Sequence, residues 1–216
     1  MFVTLRQVAH RFDDGPVLFQ GLDITMEPGH TFALCGPSGC GKSTLLSILA
    51  GWVVPWHGRV ERQGVTRIGW VFQNPYGVPA RTALDHVVFP LLSHGMKRGD
   101  AEPRALDVLA EFGLSTVAHR PFSALSGGEA QRLMLARAVC AHPDMLLVDE
   151  PTAQLDTATA RSVCDVLGEL AGRGMIVVIA THDPAARAAC DLTLDLARYA
   201  PVVGESVDNN GKEADG

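Results

Sequence analysis

The sequence predicts an α/β domain built on a mainly parallel sheet, because short apolar runs of strand length alternate along the chain with stretches of helical period. The apolar runs are residues 31–35, 145–148 and 175–180, and none shows the in–out alternation of a strand that faces water. Between them, residues 103–113 put Leu106, Leu109 and Phe112 near one helical face. Residues 157–171 place Val163, Val166, Leu167 and Leu170 at spacings of three and four.

Taken in chain order, the strand at 31–35 runs into a glycine-rich turn at 36–44 and then into the helix-like Leu45-Leu46-Ser47-Ile48-Leu49-Ala50. From Pro55 to Pro90 the glycines and prolines, among them Gly58, Gly64, Gly69, Gly77, Pro75 and Pro79, cut the chain into short pieces. Arg59–Arg62 and Arg67–Phe72 read there as small strands, expected to form a β appendage that faces solvent. The helix at 103–113 starts at Pro103 and closes at Gly113, and it is assigned to a second, helical lobe together with the helical run Leu133–Val139. The strand at 145–148 ends in Asp149-Glu150, the helix at 157–171 ends at Gly172-Arg173-Gly174, and the strand at 175–180 leads into Thr181-His182-Asp183. No internal repeat and no heptad pattern interrupts this order.

Length and charge narrow the function. A chain of 216 residues suits one domain of generous size, and 18 Lys plus Arg against 24 Asp plus Glu leave a net charge of −6. That balance disfavours a nucleic-acid binder, which presents a basic surface. No apolar run is long enough for a membrane span. The N-terminal MFVTLRQVAH lacks the apolar block of a secretory signal, and the five cysteines are odd in number and without CxxC spacing, so reduced, cytoplasmic thiols are expected. Within 201–216, Glu205, Asp208, Glu213 and Asp215 oppose Lys212 alone, which predicts a disordered acidic tail behind a nearly neutral body at 1–200.

Three segments carry chemistry. Gly36-Pro37-Ser38-Gly39-Cys40-Gly41-Lys42-Ser43-Thr44 lies between a strand and a helix, where glycines let consecutive backbone N–H groups turn inward on a phosphate and the helix N-terminus faces the anion. Lys42 adds a full positive charge at the β and γ phosphates, and Ser43 offers a hydroxyl to Mg²⁺. A glycine turn that binds nothing is the competing reading, and it leaves the remaining motifs unexplained. Asp149 and Glu150 emerge at the carboxyl edge of a buried strand, where open α/β sheets bind ligands. In a nucleotide site Asp149 holds Mg²⁺ through a water and Glu150 polarises the water that attacks the γ phosphate. His182 ends a further apolar strand at the corresponding edge, within reach of the γ phosphate, and the other histidines form no HxH or HExxH metal pattern. Leu125-Ser126-Gly127-Gly128-Glu129-Ala130-Gln131-Arg132 opens a helix and provides a second anion nest.

In these residues the chain resembles the nucleotide-binding subunits of ABC transporters. GPSGCGKST resembles their Walker A loop, MLLVDEP their Walker B strand with its catalytic glutamate, and LSGGEAQR their signature. Gln73 matches the Q-loop glutamine, a Mg²⁺ and water contact; Ala153-Gln154-Leu155-Asp156 matches the D-loop; and His182 matches the switch histidine. Phe12 falls where the family places an aromatic that stacks on adenine. The resemblance implies a P-loop NTPase core with a small antiparallel β appendage and a helical signature subdomain at about 76–142, all within one domain at 1–200. It implies Mg²⁺-dependent ATP hydrolysis, with Lys42, Gln73, Glu150 and His182 catalytic and with Ser126, Gly127, Gly128, Glu129 and Asp156 acting in trans across a head-to-tail dimer, of two copies or of two similar chains. The partners implied are transmembrane permease subunits, which place the chain at the cytoplasmic face of a membrane, and residues 75–87 resemble the segment that docks their coupling helix.

Glu150-Pro151-Thr152, His182-Asp183-Pro184 and Phe89-Pro90-Leu91-Leu92 resemble the cassettes of lipoprotein-release and macrolide-export systems. The trimmed stretch between Gly58 and Ile68 is similar instead to nitrate, taurine and sulfonate importers, while AQLD and Glu129 depart from the commoner motifs. A soluble, non-transport ABC ATPase is a third reading, although the long coiled coils of the chromosome-maintenance versions are missing. A small-molecule kinase would share the phosphate loop and have no use for LSGGE. A regulatory binder of ATP that no longer hydrolyses it is opposed by the intact Lys42, Asp149, Glu150 and His182.

Overall fold

The computed structural model describes residues 1–152 and 155–201. Ala153 and Gln154, and the tail from residue 202 onward, lie outside the described residues. In chain order the elements are β1 (Phe2–His10), β2 (Phe19–Met26), β3 (Thr31–Cys35), α1 (Lys42–Ala50), β4 (His57–Gln63), β5 (Ile68–Val71), α2 (Ala83–Ser93), α3 (Arg98–Glu111), α4 (Gly127–Cys140), β6 (Met145–Asp149), α5 (Thr157–Gly172), β7 (Ile176–Ala180), α6 (Pro184–Ala188) and β8 (Leu192–Asp195).

Five strands form one sheet in the order β5-β6-β7-β3-β8, with every neighbouring pair parallel. Strand β3 is wholly buried, and in β6 only Asp149 is partly exposed, which is why both read as unbroken apolar runs. Successive side chains point to opposite faces of the sheet. Leu146, Val148, Val177 and Ile179 pack towards α2, α4 and α5, whereas Met145, Leu147, Ile176 and Val178 pack towards α1 and the second sheet. Register sets Leu34, Ala180 and Asp149 side by side, so the loops that follow β3, β6 and β7 open at the same edge.

The second sheet is antiparallel, in the order β2-β1-β4. Its β4 agrees with the strand expected over Arg59–Arg62, whereas β1 and β2 carry no strand pattern in the sequence. The reason lies in β1, where Arg6 and Gln7 are both exposed between buried triplets and Gln7 has φ 50, so a bulge breaks the alternation that would mark a strand.

Three further expectations need correction. The strand within Arg67–Phe72 belongs to the main sheet as its edge β5, not to a solvent-facing appendage. Its position is pinned by Asp144, whose carboxylate accepts hydrogen bonds from the backbone N–H groups of Thr66 and Arg67 at 2.8 Å each. Residues 83–93, placed among short pieces, form α2, opened by a capping box in which Thr82 Oγ1 accepts from the Asp85 N–H at 3.0 Å and the Asp85 carboxylate accepts from the Thr82 N–H. Helix α3 starts at Arg98, so Pro103 lies inside it rather than at its first position, and Leu106 is exposed while Ala101, Ala105, Val108 and Leu109 are buried.

Candidate functional site

The phosphate loop joins β3 to α1, and its glycines sit where side chains cannot. Gly41 caps α1 with φ 99, and a Cβ there would come 2.9 Å from the Phe19 ring. Gly36 has φ 144, and a Cβ there would meet Cys40 Sγ at 2.6 Å. Lys42 reaches back over the loop, with Nζ donating to the carbonyls of Gly36 at 3.0 Å and Pro37 at 3.3 Å. Its ammonium therefore lies along the loop and faces the cleft rather than solvent alone.

At the neighbouring strand end Ser43 Oγ donates to Asp149 Oδ2 at 2.7 Å. Burial pushes the Asp149 carboxyl above the usual carboxylate range, and the charge of Glu150 pushes the same way, against the Ser43 hydroxyl and Lys42, which pull it down. Glu150 turns sharply off β6 with φ 50, a left-handed conformation that a glutamate adopts at some strain, and its N–H donates to Ala180 O at 2.8 Å. Its carboxylate meets His182 in the turn that follows β7. His182 Nδ1 lies 2.8 Å from Glu150 Oε1. The Glu150 side chain is largely buried, whereas that of His182 is 70% exposed, so the histidine forms the outer wall of the cleft.

Phe12, Ser38, Gly39, Gly41, Lys42, Ser43, Thr44, Gln73, Asp149, Glu150 and His182 line one cleft of about 620 Å³. Gly36, Pro37 and Cys40 shape the loop without lining it, and Leu18 joins the wall unanticipated. Ser126, Gly127, Gly128, Glu129 and Asp156 stand outside the cleft. Ser126 and Glu129 form a capping box at the start of α4, with the Glu129 carboxylate accepting from the Ser126 N–H at 2.7 Å, a bond that holds its carboxyl below the usual range. Asp156 caps α5 by accepting from the N–H groups of Ala158 and Thr159.

Two supporting contacts are not legible in the sequence. Thr152 donates to Asp183 Oδ2 at 3.3 Å, tying the turn after β6 to the turn after β7, and Asp183 caps α6. The Asp183-Pro184 pair, a capping residue followed by proline at the first helical position, was the readable signal for that helix. Gln131, 1% exposed, donates from Nε2 to the Phe72 carbonyl at 3.3 Å and so links α4 to the residue before Gln73.

The arrangement suits a nucleoside triphosphate, because one cleft is lined by an aromatic, a glycine-rich loop with its lysine, two acids and a histidine. Comparisons with known proteins agree. The family profile described as ABC transporter matches residues 19–153. The lipoprotein-releasing system ATP-binding protein LolD of Ruegeria sp. (strain TM1040) is 41% identical over 83% of this chain and 86% of its own length. LolD of Legionella pneumophila (strain Paris) is 37% identical over 85% and 89%. Among solved structures, the dimeric, post-hydrolysis ATP-binding cassette MJ0796 bound to ADP and Pi superposes with a TM-score of 0.80 at 29% identity, covering 90% of this chain and 94% of that one.

Proposed function

This chain belongs to the ABC transporter family of ATP-binding subunits, and we propose that it is the ATPase of a lipoprotein-releasing type of export system, driving membrane subunits carried on other chains. The observation that carries this reading is the meeting of the phosphate loop, Asp149, Glu150 and His182 in one cleft. Likeness to release-type relatives at 37–41% identity supports export over the importer reading.

Within the cleft Lys42 and the loop N–H groups bind the triphosphate, and Phe12, 55% exposed, offers its face to adenine. Ser43 and Asp149 are hard oxygen donors held together at 2.7 Å, a donor set that fits Mg²⁺, with Ser43 and Gln73 as contacts and Asp149 acting through a water. Bound there, Mg²⁺ would neutralise charge on the β and γ phosphates. Glu150 takes the proton of the attacking water, and His182 orients the γ phosphate and the Glu150 carboxylate. Ser126, Gly127, Gly128, Glu129 and Asp156 complete the site from the second subunit of a head-to-tail dimer, to which the dimeric MJ0796 cassette lends support. Residues 1–200 act as one ATPase domain whose helices between about 76 and 142 carry the signature.

Among the described residues no helix is long and apolar enough to cross a membrane. Work at a membrane therefore needs a docking surface, and a groove of about 460 Å³ lined by Trp70, Phe72, Tyr76 and Phe89, beside Gln73, is suited to a permease helix on the cytoplasmic side. Purification from detergent-solubilised membranes tests the whole reading. It expects Mg²⁺-dependent ATP hydrolysis by the chain together with a co-purifying polytopic membrane protein, whereas hydrolysis without such a partner favours a non-transport ATPase.

A further inference from the structure

His10 is 5% exposed, and neither of its ring nitrogens has a hydrogen-bond partner. A buried polar ring without partners lowers stability relative to an apolar ring of the same shape, so its polarity contributes nothing to holding the fold. Its contacts are aromatic instead. The His10 and Phe12 rings meet in a T shape with centroids 4.8 Å apart at 85°, and His10 stacks on Phe19 at 6.5 Å and 30°. Phe19 is fully buried and lies under Gly41 of the phosphate loop, 2.9 Å from where a Cβ would stand. His10 and Phe19 are paired across β1 and β2, and the Leu18 N–H donates to His10 O at 2.9 Å, which closes the loop that carries Phe12. Next to Phe12 in the chain, the Arg11 guanidinium rests on the Trp56 ring at 4.5 Å, and Arg11 Nε is also buried without a partner. Flat packing, not hydrogen bonding by these two side chains, therefore roots that loop.

We propose that His10 is the positioning residue for the base end of the nucleotide site: its ring fixes the attitude of Phe12 and, through Phe19 and Gly41, holds that attitude relative to the phosphate loop. Adenine then meets a ring already set in the cleft that Lys42 also lines. A free Phe12 would have to be ordered on binding, at a loss of affinity and with no change in the chemistry at Glu150. The proposal rests on the reading that Phe12 stacks on adenine.

The test uses the full chain and measures KM and kcat for ATP, together with equilibrium binding of ATP and of inorganic tripolyphosphate, which has no base. His10→Ala and His10→Leu are expected to raise the KM for ATP roughly two- to tenfold, the worth of an aromatic pair, with kcat and tripolyphosphate affinity unchanged. His10→Phe restores a flat ring and is expected to restore the KM, whereas His10→Leu keeps apolar burial without the ring and so separates geometry from filling. Phe12→Ala is expected to raise the KM by itself and to abolish any further effect of His10→Ala in the double variant. Equal losses for ATP and tripolyphosphate, a lowered kcat, or a His10→Ala effect that persists in the Phe12→Ala background overturn the positioning role, as does an unchanged KM in His10→Ala when Phe12→Ala raises it. An unchanged KM in Phe12→Ala overturns the base-stacking reading and this proposal with it.

Discussion

His182 Nδ1 stands 2.8 Å from Glu150 Oε1, and the other oxygen of that carboxylate accepts the His182 backbone N–H at 3.4 Å. Two contacts from one residue fix the orientation of the carboxylate proposed to act as the base. Replacing Glu150 by Gln keeps the shape and the acceptor oxygen but removes the base. Glu150→Gln is expected to lower kcat for ATP by at least about 10²-fold while ATP still binds, so that an ATP-bound dimer accumulates. Steady-state hydrolysis together with size-exclusion chromatography in ATP decides it, and unchanged turnover removes Glu150 from the role of base.

The Ser43 to Asp149 contact leads to a prediction about the metal. If Asp149 holds Mg²⁺ through a water, Asp149→Asn weakens the ion without removing its direct contacts. The Mg²⁺ concentration for half-maximal ATPase activity is expected to rise roughly 10- to 100-fold, with excess Mg²⁺ restoring part of the rate. Chelating Mg²⁺ from the unaltered chain is expected to stop hydrolysis. Full activity in the chelator excludes a metal-dependent mechanism.

What could be read from the sequence was local. The phosphate loop, its flanking strand β3 and the acid-tipped β6 each declare themselves within about ten residues, because glycine spacing, burial on both faces and a terminal carboxylate are properties of a short segment. What escaped depends on pairing between distant segments. Strand β5 is four residues long and contains Gly69, and it becomes a strand through its register with β6, not through its own pattern. Helix α2 was hidden by the prolines around it and by a capping box that uses Asp85 where Glu or Gln is the usual cue. The contact of His10 with Phe19 requires the hairpin register of β1 and β2, which the bulge at Gln7 conceals.

Cys40 is expected to make the ATPase sensitive to thiol alkylation. Burial pushes the thiols of Cys140, Cys164 and Cys190 up to about 11 and that of Cys35 above its ordinary value, leaving those four poor nucleophiles. Cys40 is half-buried, and its sulfur sits inside the turn of the phosphate loop against Gly36. An added group there is expected to push the loop out of the shape that holds the phosphates. N-ethylmaleimide is expected to remove most of the activity, bound ATP to protect it, and Cys40→Ser to be resistant. Retained activity after labelling of Cys40 has been verified by mass spectrometry counts against this.

The burial of His10 also predicts how stability depends on pH. Desolvation lowers its pKa below the ordinary 6.5, so in acid the unfolded chain takes up a proton that the folded chain refuses. Stability is then fully present above pH 6.5, declines as pH falls below that value, and stops declining once pH has passed below the lowered folded value. The slope contributed by one such group is at most about 1.4 kcal/mol per pH unit. His10→Phe has no proton to bind and keeps the ring, so its unfolding free energy is expected to equal or exceed that of the unaltered chain at pH 7 and to fall less steeply towards pH 5. Desolvation likewise lowers the pKa of His142, but its contribution is common to both proteins and cancels in the difference. Urea unfolding of the two proteins at pH 7, 6 and 5 gives that difference directly. Parallel curves would mean that His10 is hydrated or partnered in solution, and the aromatic column beneath Phe12 would then be looser than its geometry implies.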